Sequence, residues 1–256
     1  MTAAVAHGST GGIAQLRNVD LFSAAMDEAI NRPLHLPGLV CFHGPSGFGK
    51  TRAASYAANV HRAYIIEARS TWTKRKLCLA ILHELGVEPQ LRVYDMVQQI
   101  SEQLSRSGRP LIIDEADFVL AGGMIEIIRD IHEASGAVVA MIGEERLPNK
   151  LRAVERVHNR VAFWVGAVPC DLDDARLLAQ LYARKITLAD DLLQAVVTAS
   201  DGGARRIVTN LHQIQQEALK TPGKTFDLAW WGKRGLFTGR VEARTNFLPP
   251  RAGRAA

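Results

Sequence analysis

Gly44-Pro45-Ser46-Gly47-Phe48-Gly49-Lys50-Thr51 decides how this chain is read, because it fits G-x-x-x-x-G-K-[ST] without a mismatch between an apolar run and a helical pattern. Leu39-Val40-Cys41-Phe42 predicts a short buried strand before it, and Lys50-Thr51 open a helix running through Ala58. Gly44, Gly47 and Gly49 let the backbone turn so that its N–H groups face inward. A concave row of N–H donors at a helix N-terminus is an anion site. Lys50 is spaced to reach the β- and γ-phosphates of a nucleotide and the Thr51 hydroxyl to ligate Mg²⁺. Pro45, Ser46 and Phe48 complete the cradle, and Arg52 follows in the first helical turn. A nucleoside-triphosphate site is the expectation.

The second informative stretch is Leu111-Ile112-Ile113-Asp114-Glu115, an apolar strand that delivers two carboxylates at its C-terminal end. Ligands of open α/β sheets bind at those ends. Asp114 is expected to hold Mg²⁺ through water and Glu115 to polarise the attacking water, two separate jobs in hydrolysing a γ-phosphate. Asp117 reads as a surface or capping carboxylate.

Three further apolar runs predict strands: Ala63 to Glu67, Ala137 to Gly143 and Val161 to Val165. Alternating with helical patterns, they predict an α/β fold, a three-layer sandwich around a five-stranded parallel sheet. Ahead of them, Asn18-Val19-Asp20 offers a cap for a helix with Leu21, Phe22, Ala25, Met26 and Ile30 at helical spacing. From Asp171 the pattern is wholly helical, with Asp171 to Asp174 as a cap and Gly202-Gly203-Ala204-Arg205-Arg206 opening the last helix. The expected organisation is a flexible start (1–17), a nucleotide-binding α/β domain (18–168), a helical lid (169–222) and a basic, mobile tail (223–256). Lys233, Arg234, Arg240, Arg244, Arg251 and Arg254 give that tail its charge.

The 256 residues suffice for one α/β domain with a small appendage. Net charge is +5 and the isoelectric point about 9.3, which permits a polyanionic partner. Its focus is the helix start after the second strand, where Arg69, Lys74, Arg75 and Lys76 surround Trp72. Cations beside an exposed aromatic suit a phosphate backbone; a Trp72 tucked into the core leaves a solvated first turn instead. Cys41, Cys78 and Cys170 are far apart and show no metal-ligand spacing, so they read as buried small side chains in a reducing cytoplasm. Mean hydropathy is -0.01, and no run approaches the roughly 18 apolar residues of a membrane span. No membrane partner is expected.

Taken together, GPSGFGKT, LIIDE, the apolar fourth strand, the arginines before the fifth and GGARR resemble an AAA+ ATPase over about Leu16 to Leu219. Within that superfamily, the ending Ile142-Gly143-Glu144-Glu145-Arg146-Leu147 and the Ser-Thr-Trp-Thr stretch are similar to the transposition target selectors, the B proteins of Mu-like phages and bacterial transposons. The resemblance implies an ATPase that binds ATP and Mg²⁺ and assembles as a helical filament or ring on duplex DNA. It also implies delivery of that DNA to a transposase that stimulates hydrolysis. It makes Arg205 the lid arginine on the γ-phosphate of its own subunit and Arg156 or Arg160 the finger entering a neighbour's site, with Arg160, next to the fifth strand, slightly favoured. Glu144 stands where a polar sensor is usual, which implies slow basal hydrolysis. The helical DNA-binding domain of the phage members has no counterpart, so DNA contact is expected from Arg69, Thr71, Lys74, Arg75 and Lys76.

Three rival expectations remain. A helicase loader or a secretion-associated AAA+ protein keeps the ATPase and changes the partner. A P-loop small-molecule kinase keeps only the phosphate loop, and Asp114-Glu115 argues against it, since a kinase uses an acceptor hydroxyl in place of water. A two-motor helicase needs a second motor domain for which there is no room.

Overall fold

The computed structural model describes residues 12–223 and 225–239. The N-terminal part runs α1 (Arg17–Ile30), β1 (Leu39–His43), α2 (Lys50–His61), β2 (Tyr64–Glu67), α3 (Lys74–Leu85), α4 (Val93–Ser107) and β3 (Leu111–Asp114). An irregular 3-10 segment, Ala116–Gly123, leads to α5 (Met124–Ser135), β4 (Val139–Gly143), α6 (Leu147–Arg152), α7 (Glu155–His158) and β5 (Val161–Gly166). The C-terminal unit follows with α8 (Leu172–Tyr182), β6 (Thr187–Leu188), α9 (Asp190–Ala199), α10 (Ala204–Ala218), β7 (Thr225–Phe226) and α11 (Leu228–Trp231).

The large sheet has five parallel strands in the order β2-β3-β4-β1-β5. Because side chains alternate along a strand, each central strand feeds two cores. Val40, Phe42, Ile112, Ala140 and Ile142 face α1, α2 and the C-terminal helices, whereas Leu39, Cys41, Ile113, Val139 and Met141 face α3, α4 and α5. That is the expected three-layer arrangement. Continuous apolar runs are what it requires of β1, β3 and β4, where both faces are covered, whereas the edge strand β5 alternates exposed residues with buried or half-buried ones. Phe22 of α1 stacks on Phe42 of β1 with centroids 4.9 Å apart, and burying a ring of that size contributes about 1.5–3 kcal/mol. The three cysteines are buried and free; burial pushes Cys41 and Cys170 up to about 12 and Cys78 to about 11, so they pack as apolar groups.

Several local expectations need correction. The first helix starts at Arg17 with Leu16 at its cap position, so Asn18 is not a cap: it is 2% exposed inside the first turn. The buried stripe of α1 is Val19, Phe22, Ala25, Met26 and Ala29; Leu21 and Ile30 lie off it and are exposed. Trp72 is half-buried against the α3–α5 core, leaving the cations around it without an exposed aromatic. Thr73 caps α3 by accepting from the Lys76 N–H.

Both ends of the described chain also differ from expectation. Ile13, Ala14 and Leu16, assigned to a flexible start, line a cavity at the C-terminal edge of the sheet, with Leu16 buried. Residues 225–239, assigned to a mobile tail, stay on the C-terminal helices. There β7 pairs with β6, Phe226 and Trp231 are buried, and Asn210 exchanges hydrogen bonds of 2.7 and 2.9 Å with Phe237. Arg234, though exposed, lies over the Trp230 and Trp231 rings. The reason is the apolar content of Phe226, Trp230 and Trp231, which outweighs the surrounding charge. Arg240, Arg244, Arg251 and Arg254 lie outside the described residues. Among the described residues no helix is long and apolar enough to cross a membrane.

Candidate nucleotide-binding site

Strand β1 ends at His43 and α2 begins at Lys50, so residues 44–49 form a loop on the C-terminal edge of the sheet. Two glycines are sterically required. Gly49 has φ 87°, a left-handed conformation that side chains disfavour, and a Cβ on Gly44 would lie 2.7 Å from the Cβ of Ala167. Lys50 Nζ donates to the carbonyls of Gly44 at 2.7 Å and Pro45 at 2.9 Å. Burial pushes its ammonium below the ordinary lysine range, and the carboxylates of Glu115, Asp114, Glu144 and Asp117 pull it partly back.

Strand β3 brings Asp114 to the same edge, where it is 6% exposed and accepts the Glu115 N–H at 2.9 Å. Glu115 itself has φ 53°, an uncommon conformation for a non-glycine residue and one that concentrates at functional sites. Its carboxyl titrates above the ordinary glutamate range, first because of burial and second because of Asp114, with Lys50 opposing. Asp117 is not the loose surface residue expected. Its carboxylate accepts from the Glu144 N–H and from Lys150 Nζ, each at 2.6 Å, and so ties the end of β3 to the end of β4.

These groups share one cavity of about 500 Å³. Ser46, Gly47, Gly49, Lys50, Thr51 and Arg52 form its phosphate-loop wall, and Asp114, Glu115, Gly143 and Glu144 the wall at the strand ends. The C-terminal unit closes it with Leu178, Tyr182, Arg205 and Val208, and the backbone N–H of Arg205 donates to the Gly47 carbonyl at 3.0 Å. Ile13, Ala14 and Leu16 supply an apolar rim. Gly44, Pro45 and Phe48 belong to the loop but do not line the cavity, and Phe48 is buried. Thr51 is exposed at the mouth and Asp114 has one carboxylate oxygen engaged, so a hydroxyl and a carboxylate share the cavity as hard oxygen donors of the kind Mg²⁺ takes.

The remaining sequence candidates lie elsewhere. Arg69, Thr71, Lys74, Arg75 and Lys76 are all exposed at the β2–α3 junction, where Arg75 also donates to the Leu91 carbonyl. Arg160, the favoured finger, is paired with Glu133 and donates to the Arg156 carbonyl at 2.9 Å. Arg156 is exposed with no side-chain partner among the described residues. Sequence reasoning missed Asn18, Ile13, Ala14, Tyr182 and Val208. None belongs to a motif, and only the apolar character of most of them signals a nucleobase-sized space.

Residues 34–151 match the family model described as AAA domain. Among solved structures the chain is similar to the Orc1 protein of Aeropyrum pernix in complex with DNA, at 19% identity and TM-score 0.56, covering 81% of this chain and 61% of that one. It is similar to the ADP form of the Aeropyrum pernix ORC2 protein, at 15% identity and TM-score 0.62, covering 81% and 64%. It is also similar to the Walker-type ATPase paby2304 of Pyrococcus abyssi, at 15% identity and TM-score 0.57, covering 77% and 67%. The chain thus spans about three fifths to two thirds of those proteins' length. No curated protein matches it. The stretch that matches the AAA domain model, residues 34–151, holds Lys50, Thr51, Asp114 and Glu115.

Proposed function

We propose that the chain is an ATP-hydrolysing protein that assembles on duplex DNA in its ATP-bound form, with little preference for sequence. The observation that carries the DNA half of this reading is a short covalent and hydrogen-bonded path. Ala68 donates its N–H to the Asp114 carbonyl at 2.9 Å, and the next residue, Arg69, opens the exposed cationic stretch. A polyanion held by Arg69, Thr71, Lys74, Arg75 and Lys76 therefore acts one peptide away from the strand end that positions Asp114 and Glu115. Such groups address phosphates, so binding is insensitive to sequence and sensitive to salt.

In the chemical step the oxygen of a water forms a bond to the γ-phosphorus as the bond from phosphorus to the β,γ-bridging oxygen breaks and ADP leaves. Glu115 orients that water and takes its proton. Lys50 exchanges its contacts with the Gly44 and Pro45 carbonyls for the β- and γ-phosphates, and the loop N–H groups hold the phosphate oxygens. Thr51 and Asp114 would hold Mg²⁺, which when bound neutralises phosphate charge. The helical unit after 168 serves as the lid and brings Arg205 over the nucleotide. Arg156, with no partner to give up, is the better candidate than Arg160 for the finger reaching a neighbouring subunit.

Delivery of the bound DNA to a transposase is the finer form of this reading, supported by the sequence resemblance. The likeness to an Orc1 protein in complex with DNA favours a second form, a replication loader. A pulldown separates them: one retains a transposase, the other a replicative helicase.

The DNA reading is tested by titrating mixed-sequence duplex with and without ATP over a range of salt. Replacing Lys74, Arg75 and Lys76 together by Ala is expected to weaken ATP-dependent binding at least tenfold and to lower the salt slope by about three, roughly one per lost phosphate contact. Affinity indifferent to both ATP and the triple change would count against it.

A further inference from the structure

We infer that Asn18 is a positioning residue for the phosphate loop and ties it to the connector between the sheet and the C-terminal helical unit. This rests on the nucleotide reading of the cavity. The Asn18 side chain is 2% exposed and fully used: Nδ2 donates to the Phe48 carbonyl at 2.9 Å and to the Val168 carbonyl at 2.8 Å, while Oδ1 accepts the Val168 N–H at 2.8 Å. One amide thus mimics a backbone pairing with residue 168 and spends its remaining donor on the loop.

The consequence for the loop follows from peptide geometry. A trans peptide is planar and its C=O and N–H point opposite ways. Holding the Phe48 carbonyl towards Asn18 turns the Gly49 N–H to the other side, and Gly49 lines the cavity. The preceding peptide is fixed likewise, because the Gly47 carbonyl accepts from the Arg205 N–H at 3.0 Å. Two consecutive peptides of the anion cradle are therefore set by partners outside the loop, one on α1 and one on α10.

The connector is held at the same place. Ala167 donates its N–H to the His43 carbonyl at 2.7 Å and packs against Gly44, so residues 167 and 168 touch the loop's entry directly and its exit through Asn18. Arg17, the neighbour of Asn18, reaches on to α8: its backbone N–H and Nε donate to Asp174 at 3.0 and 3.1 Å. A phosphate that reorients the Phe48–Gly49 peptide must also move or load the Asn18–Val168 pairing, and with it the root of the helical unit.

The test uses the full chain and a fluorescent ATP analogue. Asn18→Ala is expected to raise the Kd about tenfold, the loss of one well-placed buried hydrogen bond. Met26→Val, which thins the core on the same helix away from the loop, is expected to lower Tm with no change in Kd. In the unaltered protein, saturating nucleotide should slow hydrogen exchange of the Val168 amide several-fold. Unchanged analogue affinity in Asn18→Ala overturns the inference. So does Val168 exchange that ignores nucleotide, a readout that holds even if the Ala variant does not fold. Failure of the unaltered protein to bind the analogue overturns the nucleotide reading itself and this inference with it.

Discussion

Glu115→Gln is expected to reduce ATP turnover by about 10²–10⁴-fold, the usual contribution of a positioned general base, while ATP still binds. The carboxamide keeps the size of the side chain and its place at the end of β3, and loses only the ability to take a proton from water. The pH profile gives an independent reading. Burial and the neighbouring Asp114 carboxylate raise the Glu115 carboxyl above the ordinary glutamate range, with Lys50 opposing. A base acts only when deprotonated, so turnover should fall on the acid side through that raised value, at higher pH than an ordinary glutamate would give. The residual activity of the Gln variant should lack this limb. Turnover close to that of the parent would assign water activation to another group, and Glu144 on the same cavity wall would be the one to replace next.

Arg156→Ala is expected to lower assembly-dependent turnover by roughly 10³-fold or more, the scale of a finger arginine supplied in trans, without changing ATP affinity of the isolated subunit. Arg160→Ala should cost less turnover, because that guanidinium is committed to Glu133 and to the Arg156 carbonyl. Complementation distinguishes a trans role from a local one. Mixing Arg156→Ala with Glu115→Gln, which still binds ATP and so still assembles, creates interfaces in which one subunit supplies an intact nucleotide site and its neighbour an intact arginine. Turnover that neither variant shows alone should reappear. Absence of any recovery, with assembly intact, would place Arg156 outside the reacting site.

How much of this was legible in the sequence follows from the range of the interactions. The five strands were readable as apolar runs, which β1, β3 and β4, covered on both faces, must be, and the phosphate loop and Asp114-Glu115 were readable because their spacing is local. The pairing of Arg160 was not readable for the complementary reason: its partner Glu133 sits on α5, and nothing in the local pattern announces it. Asn18 looked like a cap because Asn commonly caps helices, yet its partners lie 30 and 150 positions away. Residues 225–239 looked like part of a charged tail because basic residues recur from Lys233 to Arg254, whereas three aromatic side chains and the amide of Asn210 decide where the segment goes. Asp117 reads as a spare acid until the distance between the ends of β3 and β4 is known.

The most direct test of the account compares duplex DNA binding by the parent chain and by Lys50→Ala, each with ATP, with a non-hydrolysable ATP analogue and without nucleotide. The account predicts tight, salt-sensitive coating of DNA by the parent only when a triphosphate is present, and no such gain for Lys50→Ala. Equal coating by both proteins, with or without nucleotide, would contradict it.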